Sequence, residues 1–289
     1  MPQNLIKTDV NGKPTVDTKN AFIQSVSGTL PTGDWNYRAH LDQIQKSVLD
    51  ANHRVTSGAI SNCRGTWYEW MLAIDLYNEW CNSEHDYLMV PLPNISRFDC
   101  ATLYVPEVSK FIFDLRRKLH GSLDIELITS NPDFVMFDTS ELVCKSDFEP
   151  ISRVTPSTIE FIDNFFRQLV GKCKLDDIVA YMATKTSLRP DRRLQIVHEG
   201  SLTKAMYVHL QTRLWIDKPR KIKYFGASLS LNAKDRIALK TVATHSITTI
   251  LSEPEKAVDE CFELSSREQL YTALSVMHES ILPRTSLEL

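Results

Sequence analysis

The chain has 289 residues, 43% hydrophobic and 24% charged, with 9 Gly, 13 Pro and a net charge of −3. These proportions belong to a folded globular protein and exclude a disordered tail, a collagen-like repeat or a low-complexity scaffold. There is no run of about 18 apolar residues to span a membrane, and the opening Met1-Pro2-Gln3-Asn4-Leu5-Ile6-Lys7 lacks the pattern of a secretory signal.

The first 65 residues read as polar and turn-rich, punctuated by Asn11-Gly12, Gly28 and Pro31-Thr32-Gly33. From Thr66 the pattern turns helical, with Trp67, Trp70, Met71, Ile74 and Leu76-Tyr77 as a buried stripe. Tyr87 to Val90 reads as a short strand stopped by Pro91 and Pro93, and Val105 to Leu119 as a helix with Phe111, Ile112 and Leu115 inward. Two strands are expected next, Leu123 to Ile128 and Phe134 to Phe137, around a turn at Ser130-Asn131-Pro132.

Thr158 to Val170 looks helical, and Ile178 to Thr186 reads as a helix end running into a buried strand. Pro190 then opens a long helix to about Leu214, proline being at home in a first helical turn. Tyr224 to Leu229 is a strand candidate, and Leu239 to Ile250, rich in β-branched residues, is another. Cys261 to Ile281 closes as helix. This alternation without a fixed period predicts an α/β or α+β sandwich with a central mixed sheet.

Six cysteines, Cys63, Cys81, Cys100, Cys144, Cys173 and Cys261, offer no CxxC element, so they read as free thiols in a reducing cytoplasm. Charge is uneven. From Lys185 to Lys223 ten basic residues face three acids, a local +7 that leaves −10 on the remainder. On charge alone this band fits a polyanion-binding surface and a solvated helix face equally well.

Four segments carry candidate chemistry: Asn131-Pro132-Asp133-Phe134, Ala183-Thr184-Lys185-Thr186, Arg189-Pro190-Asp191-Arg192-Arg193 and His198-Glu199-Gly200. Strand alternation turns Ala183 and Lys185 the same way, and Arg192 and Glu199 lie two helical turns apart on one face. A helix packed beside the two strands lets Asp133, Lys185 and Glu199 converge. Two carboxylates and an ammonium suit a magnesium site, since that ion takes oxygen ligands and keeps several waters; a structural salt-bridge network is the rival reading.

Together these segments resemble the PD-(D/E)XK nucleases, and more finely the tetrameric type IIF restriction endonucleases that cut at a CCGG core. The finer likeness rests on Ile128-Thr129-Ser130-Asn131-Pro132-Asp133-Phe134, on Arg189 through Glu199-Gly200-Ser201-Leu202, and on His209-Leu210-Gln211-Thr212-Arg213. Trp67-Tyr68-Glu69-Trp70 and Leu239 through Ser246 add to it, so that it spans about residues 64 to 248.

The resemblance implies an α/β fold, a central mixed β-sheet flanked by helices. It implies magnesium-dependent hydrolysis of double-stranded DNA at purine-CCGG-pyrimidine before the first cytosine, leaving 5′-phosphates and CCGG overhangs. Asp133 and Glu199 would hold Mg2+, Lys185 would assist the attacking water, and Glu69 would be an accessory acid or simply an exposed one. Arg189, Asp191 and Arg192 would read the core, arginine forking onto guanine and aspartate accepting from cytosine N4. One departure stands out: the position two before the lysine, usually acidic, is Ala183. In the subgroup a glutamate on the following helix takes over the metal, and Glu199 stands there.

Residues 1–100 are expected to form a mainly helical subdomain that contributes Glu69, and 101–289 the catalytic and DNA-recognition domain. A palindromic target implies a homodimer, and the subgroup a homotetramer, in a bacterial cytoplasm beside a protecting methyltransferase. His198 and His245, the latter in a strand, are expected to be packed or hydrogen-bonded, and Arg193 to meet phosphate or an acid of its own chain. Trp215 is core or a subunit contact, and Lys218 to Lys223 touches phosphates or is a solvated loop. Two rivals stay open: a non-catalytic sequence-specific DNA-binding protein, and a structure-selective repair nuclease.

Overall fold

A computed structural model describes residues 5–10, 12–123, 126–127, 129, 131–217, 220–248 and 254–282. A short hairpin opens it, β1 (Ile6–Thr8) antiparallel to β2 (Pro14–Val16). Three helices follow: α1 (Thr18–Ser25), α2 (Tyr37–Ala51) and α3 (Ser57–Asn82). Asp17, Asn36 and Thr56 cap them, each side chain accepting from a first-turn N–H that has no partner within the helix. The stretch expected to be turn-rich thus holds two complete helices beside its hairpin and turns, and α3 starts at Ser57 rather than Thr66. The overlooked signal lies in α2, where Tyr37, Leu41, Ile44 and Val48 are buried at helical spacing.

Beyond α3 come β3 (Tyr87–Pro91), α4 (Pro106–Leu123), β4 (Phe134–Asp138), α5 (Pro156–Asn164), β5 (Ile178–Lys185), α6 (Pro190–Leu214), β6 (Lys223–Ser228), α7 (Ala233–Leu239), β7 (Glu260–Glu263) and α8 (Arg267–Ile281). Strands β3 to β7 form one mixed sheet in sequence order. β3, β4 and β5 run antiparallel, while β5, β6 and β7 are parallel. Helices flank the sheet: α3 lies against β3, and α6 against β6 and α4. Every residue of β5 before Lys185 is buried, as in a strand covered on both faces. No helix among the described residues is long and apolar enough to cross a membrane.

Four expectations about elements need correction. Ile178 to Thr186 holds no helix end, only strand β5 after a 3-10 turn at Leu175–Asp177. The strand expected from Leu123 is absent at its start, because α4 continues through that residue; Asp124, Ile125 and Ile128 lie outside the described residues. The segment from Leu239 is the end of α7, then a 3-10 turn at Thr244–Ile247 that contains His245. Among the described residues of this segment one bridge forms, Val242 with Lys256, and Thr244 N–H donates instead to Ser201 on α6. Thr249 and Ile250 are outside the described residues. Lastly, the segment from Cys261 is not helical at its start, since β7 joins the sheet edge there.

Helix α6 is set close to the sheet by one glycine. A Cβ on Gly200 would lie 2.2 Å from the Ala257 carbonyl oxygen and 2.9 Å from the Tyr224 ring. Lys204, one turn on and 2% exposed, locks the contact by donating to Lys256 O at 2.6 Å and pairing with Asp259 at 2.7 Å. Because the nearest atom is backbone, Gly200→Ala must push the helix off the sheet. Overpacking of this kind costs about 1–3 kcal/mol or more. We expect a lower thermal midpoint and loss of whatever Glu199 does, read by melting and activity on the same sample; a variant that melts with wild type would show that the segment yields freely.

Candidate active site

Topology explains why residues 52 positions apart meet. β4 begins where antiparallel β5 ends, with Phe134 opposite Met182, so Asp133 sits beside the last residues of β5. Its carboxylate oxygen Oδ2 accepts from Thr184 N–H at 2.6 Å and from Lys185 Nζ at 2.8 Å, leaving Oδ1 outside these bonds. Leu92 N–H donates to the Asp133 carbonyl and extends the β3 ladder by one rung. Asn131 braces the approach, accepting from Cys100 N–H and donating to the Pro93 and Phe98 carbonyls. Ala183, the departure from the nuclease pattern, is fully buried.

Asp133 and Glu69 line one cleft of about 1120 Å³. Buried Trp67, Tyr68 and Trp70 fix α3 around Glu69. Burial, then the neighbouring Asp133 charge, pushes the Glu69 carboxyl up to about 8 against the pull of Lys185. Glu199 stands apart from this cleft. It is 6% exposed and borders a smaller cavity of about 70 Å³ with Pro132, Tyr181 and Met206. Gln195, one turn earlier on α6, donates to Glu199 Oε1 at 2.9 Å, and the Tyr224 hydroxyl donates to Oε2 at 2.9 Å. Burial and then the Glu199 and Asp133 charges raise the Tyr224 phenol well above the ordinary value. Asp133 and Lys185 are thus in contact, Glu69 feels both, and Glu199 bonds Tyr224, whose phenol feels the Asp133 charge.

At the start of α6, Arg189 and Asp191 are exposed and Arg192 is half-buried. Arg189 reaches Asp191 at 3.1 Å and Arg192 lies 3.9 Å from the same oxygen. Arg193 instead pairs with buried Asp235 at 2.7 Å, an acid of its own chain. The basic band is not the open surface its charge count allowed. Lys185, Arg193, Lys204, Arg213, Arg220, Lys221 and Lys223 pair with acids from outside the band: Asp133, Asp235, Asp259, Asp114, Asp138 and Glu255. Lys218 and Pro219 lie outside the described residues. His198 is exposed rather than packed, and Trp215, 92% exposed just past the end of α6, is not core.

The profile of the Cfr10I/Bse634I restriction endonucleases matches residues 3–279. The chain belongs to this family. It is 41% identical over 229 residues to the type II restriction enzyme Cfr10I of Citrobacter freundii, covering 78% of this chain and 80% of that protein. The solved Bse634I restriction endonuclease superposes with a TM-score of 0.85 at 37% identity, covering 94% of this chain and 97% of Bse634I. Bse634I, type IIF, with cognate DNA gives 0.87 at 36% identity, covering 96% and 98%. The chain is accordingly a type IIF restriction endonuclease with a mixed sheet flanked by helices.

Enzymes of the Cfr10I/Bse634I family work with a divalent cation. Among the described residues no group of three or more His, Cys, Asp or Glu side chains is arranged to hold a metal. The donors at hand are carboxylates, which fit a hard cation that binds one or two of them and fills its shell with water and substrate phosphate. Sequence reasoning missed Tyr224 and Gln195. The i, i+4 spacing of Gln195 and Glu199 was a readable signal, whereas Tyr224 reaches Glu199 only through the packing of α6 on β6.

Proposed function

We propose that this enzyme hydrolyses double-stranded DNA at purine-CCGG-pyrimidine before the first cytosine, with Mg2+ held by Asp133 and Glu199, leaving 5′-phosphates and CCGG overhangs. The observation that carries the reading is the Asp133–Lys185 pair, with Thr184 on the same carboxylate oxygen. These bonds orient the carboxylate through Oδ2 and leave Oδ1 outside them. Lys185 Nζ has further donors with which to orient an attacking water and face the charge that grows on the phosphate. Bound Mg2+ supplies a Lewis acid for the phosphate oxygen and lowers the pKa of water. Glu69 serves as an accessory acid.

Arg189, Asp191 and Arg192 read the core from the major groove. The Arg189 side chain leaves the N-terminus of α6 without a side-chain cap, so its first N–H groups and the helix dipole favour an anion there. We read residues 1–100 as a helical subdomain bringing Glu69, and 101–289 as the catalytic and recognition domain. The palindromic target calls for a homodimer, and exposed Trp215 is a subunit contact of a homotetramer. The setting is a restriction-modification system of a bacterial cytoplasm, with a methyltransferase guarding host DNA.

Digesting a long DNA with Mg2+ and sequencing the ends tests this. Breaks at R/CCGGY in Mg2+ and none in EDTA are expected. Binding without breaks would favour a DNA-binding protein, and breaks at branches irrespective of sequence a repair nuclease. Tyr224→Phe removes the hydroxyl bond to Glu199, and loss of such a support typically weakens metal affinity about 10–100-fold. The Mg2+ concentration for half-maximal cleavage should rise accordingly, and an unchanged titration would remove Tyr224 from the site.

A further inference from the structure

The cleft holding Asp133 also gathers four cations from four separate chain segments. Lys7 comes from β1, Lys19 from α1, Arg97 from the loop after β3, and Arg167 from the 3-10 turn Phe165–Leu169. None of their side chains makes an ion pair or hydrogen bond with a described residue; Lys19 acts on the Asp163 carboxyl without contact. Four acids line the same cleft; burial and then the Asp133 charge push the Glu69 carboxyl up to about 8, and the other three are engaged in hydrogen bonds. Asp17 accepts from the Asn20 backbone and side chain, Asp163 from the Trp70 indole at 2.7 Å, and Asp133 from Thr184 and Lys185. The contrast with the basic band is sharp, because there nearly every cation outside the start of α6 already has a carboxylate.

These four cations have no ion-pair partner among the described residues, whereas three of the four carboxylates in the same cleft are held by backbone and side-chain donors or by Lys185, and a concave low-dielectric site focuses the field of its charges. Such an arrangement is stabilised when an anion enters. Asp133 and Lys185 fix where the scissile phosphate sits, at one wall of this cleft, and successive phosphates of a strand advance by only about 3.4 Å along the helix axis. We propose that Lys7, Lys19, Arg97 and Arg167 form a phosphate track that grips the backbone of the cleaved strand next to the scissile bond, without regard to sequence. The track rests on the DNA-cleavage reading and adds to it which residues outside the reading helix hold the duplex.

The test is the salt dependence of DNA binding by the full chain, with Ca2+ replacing Mg2+ to prevent cleavage. Lys19→Ala, Arg97→Ala and Arg167→Ala are compared singly, and as a quadruple variant with Lys7→Ala, on a duplex carrying the site and on a scrambled one. Each phosphate contact contributes about 0.9 to the slope of log K against log salt. Each single variant should flatten the slope by about 0.9 and the quadruple by about 3.6, with equal loss of affinity for both duplexes. Lys46→Ala, on the exposed side of α2, should leave the slope unchanged. Slopes that stay at the wild-type value overturn the track, as does a loss confined to the cognate duplex. The single variants decide the matter if the quadruple protein does not fold. Wild-type protein that bound no DNA would instead remove the nuclease reading itself.

Discussion

Lys185→Ala protein should bind its target duplex in Ca2+ as wild type does, yet cleave it about 10²–10⁴-fold more slowly in Mg2+, the range that a positioned proton-handling group contributes. The separation follows from what Lys185 touches. Its ammonium bonds Asp133 Oδ2 at 2.8 Å at the end of β5, while the groups assigned to base reading lie on α6. Removing it leaves Asp133 oriented by Thr184 N–H, so the fold and the carboxylate persist while the donor facing the reacting atoms is gone. Single-turnover cleavage beside a binding titration checks this. Undiminished cleavage would end the assignment of Lys185 to the chemistry.

A second large effect is expected at Arg192. Arg192→Ala should reduce preference for the site over a duplex with a changed core by about 1–3 kcal/mol, the value of one bidentate arginine–guanine pair. Its nearest partner is Asp191 at 3.9 Å, and Arg189 shares the same carboxylate. Exposed pairs of this kind are worth about 0–1 kcal/mol, so exchanging them for base edges costs little. Arg193→Ala should behave differently. Its pair with buried Asp235 is structural, so the loss should appear in thermal stability rather than in discrimination. Competition binding on both duplexes separates these outcomes, and equal loss on both for Arg192→Ala would make that residue a phosphate contact.

The parts of the fold legible in the sequence were those with a local cause. Pro190 set the start of α6, Pro91 the end of β3, and the Asn131-Pro132-Asp133-Phe134 segment the start of β4. β5 was only half legible because a strand buried on both faces loses its alternation and resembles a buried helix. β7 was missed because four residues at a sheet edge, with only β6 to pair with, carry too little pattern to oppose the helical run after them. The stretch after Leu239 misled through β-branched residues that cover α6 instead of forming a ladder.

The candidate site divides the same way. Asp133, Lys185 and Glu199 were singled out by spacing and by family resemblance. Tyr224 and the four cleft cations were not, because only tertiary packing brings β1, α1 and the loop around Arg97 to the same cleft as Asp133. The charge count pointed to the band from Lys185 to Lys223 because it could not foresee Asp259, Asp138 and Glu255 arriving from elsewhere to neutralise it.

The most direct test is a crystal structure of the full chain with cognate DNA and Mn2+, read by the metal's anomalous signal. An ion bound by both Asp133 and Glu199 and touching the phosphate before the first cytosine, with Lys185 beside it, is the expected result. An ion held without either carboxylate, or a scissile phosphate remote from the Asp133–Lys185 pair, would contradict it.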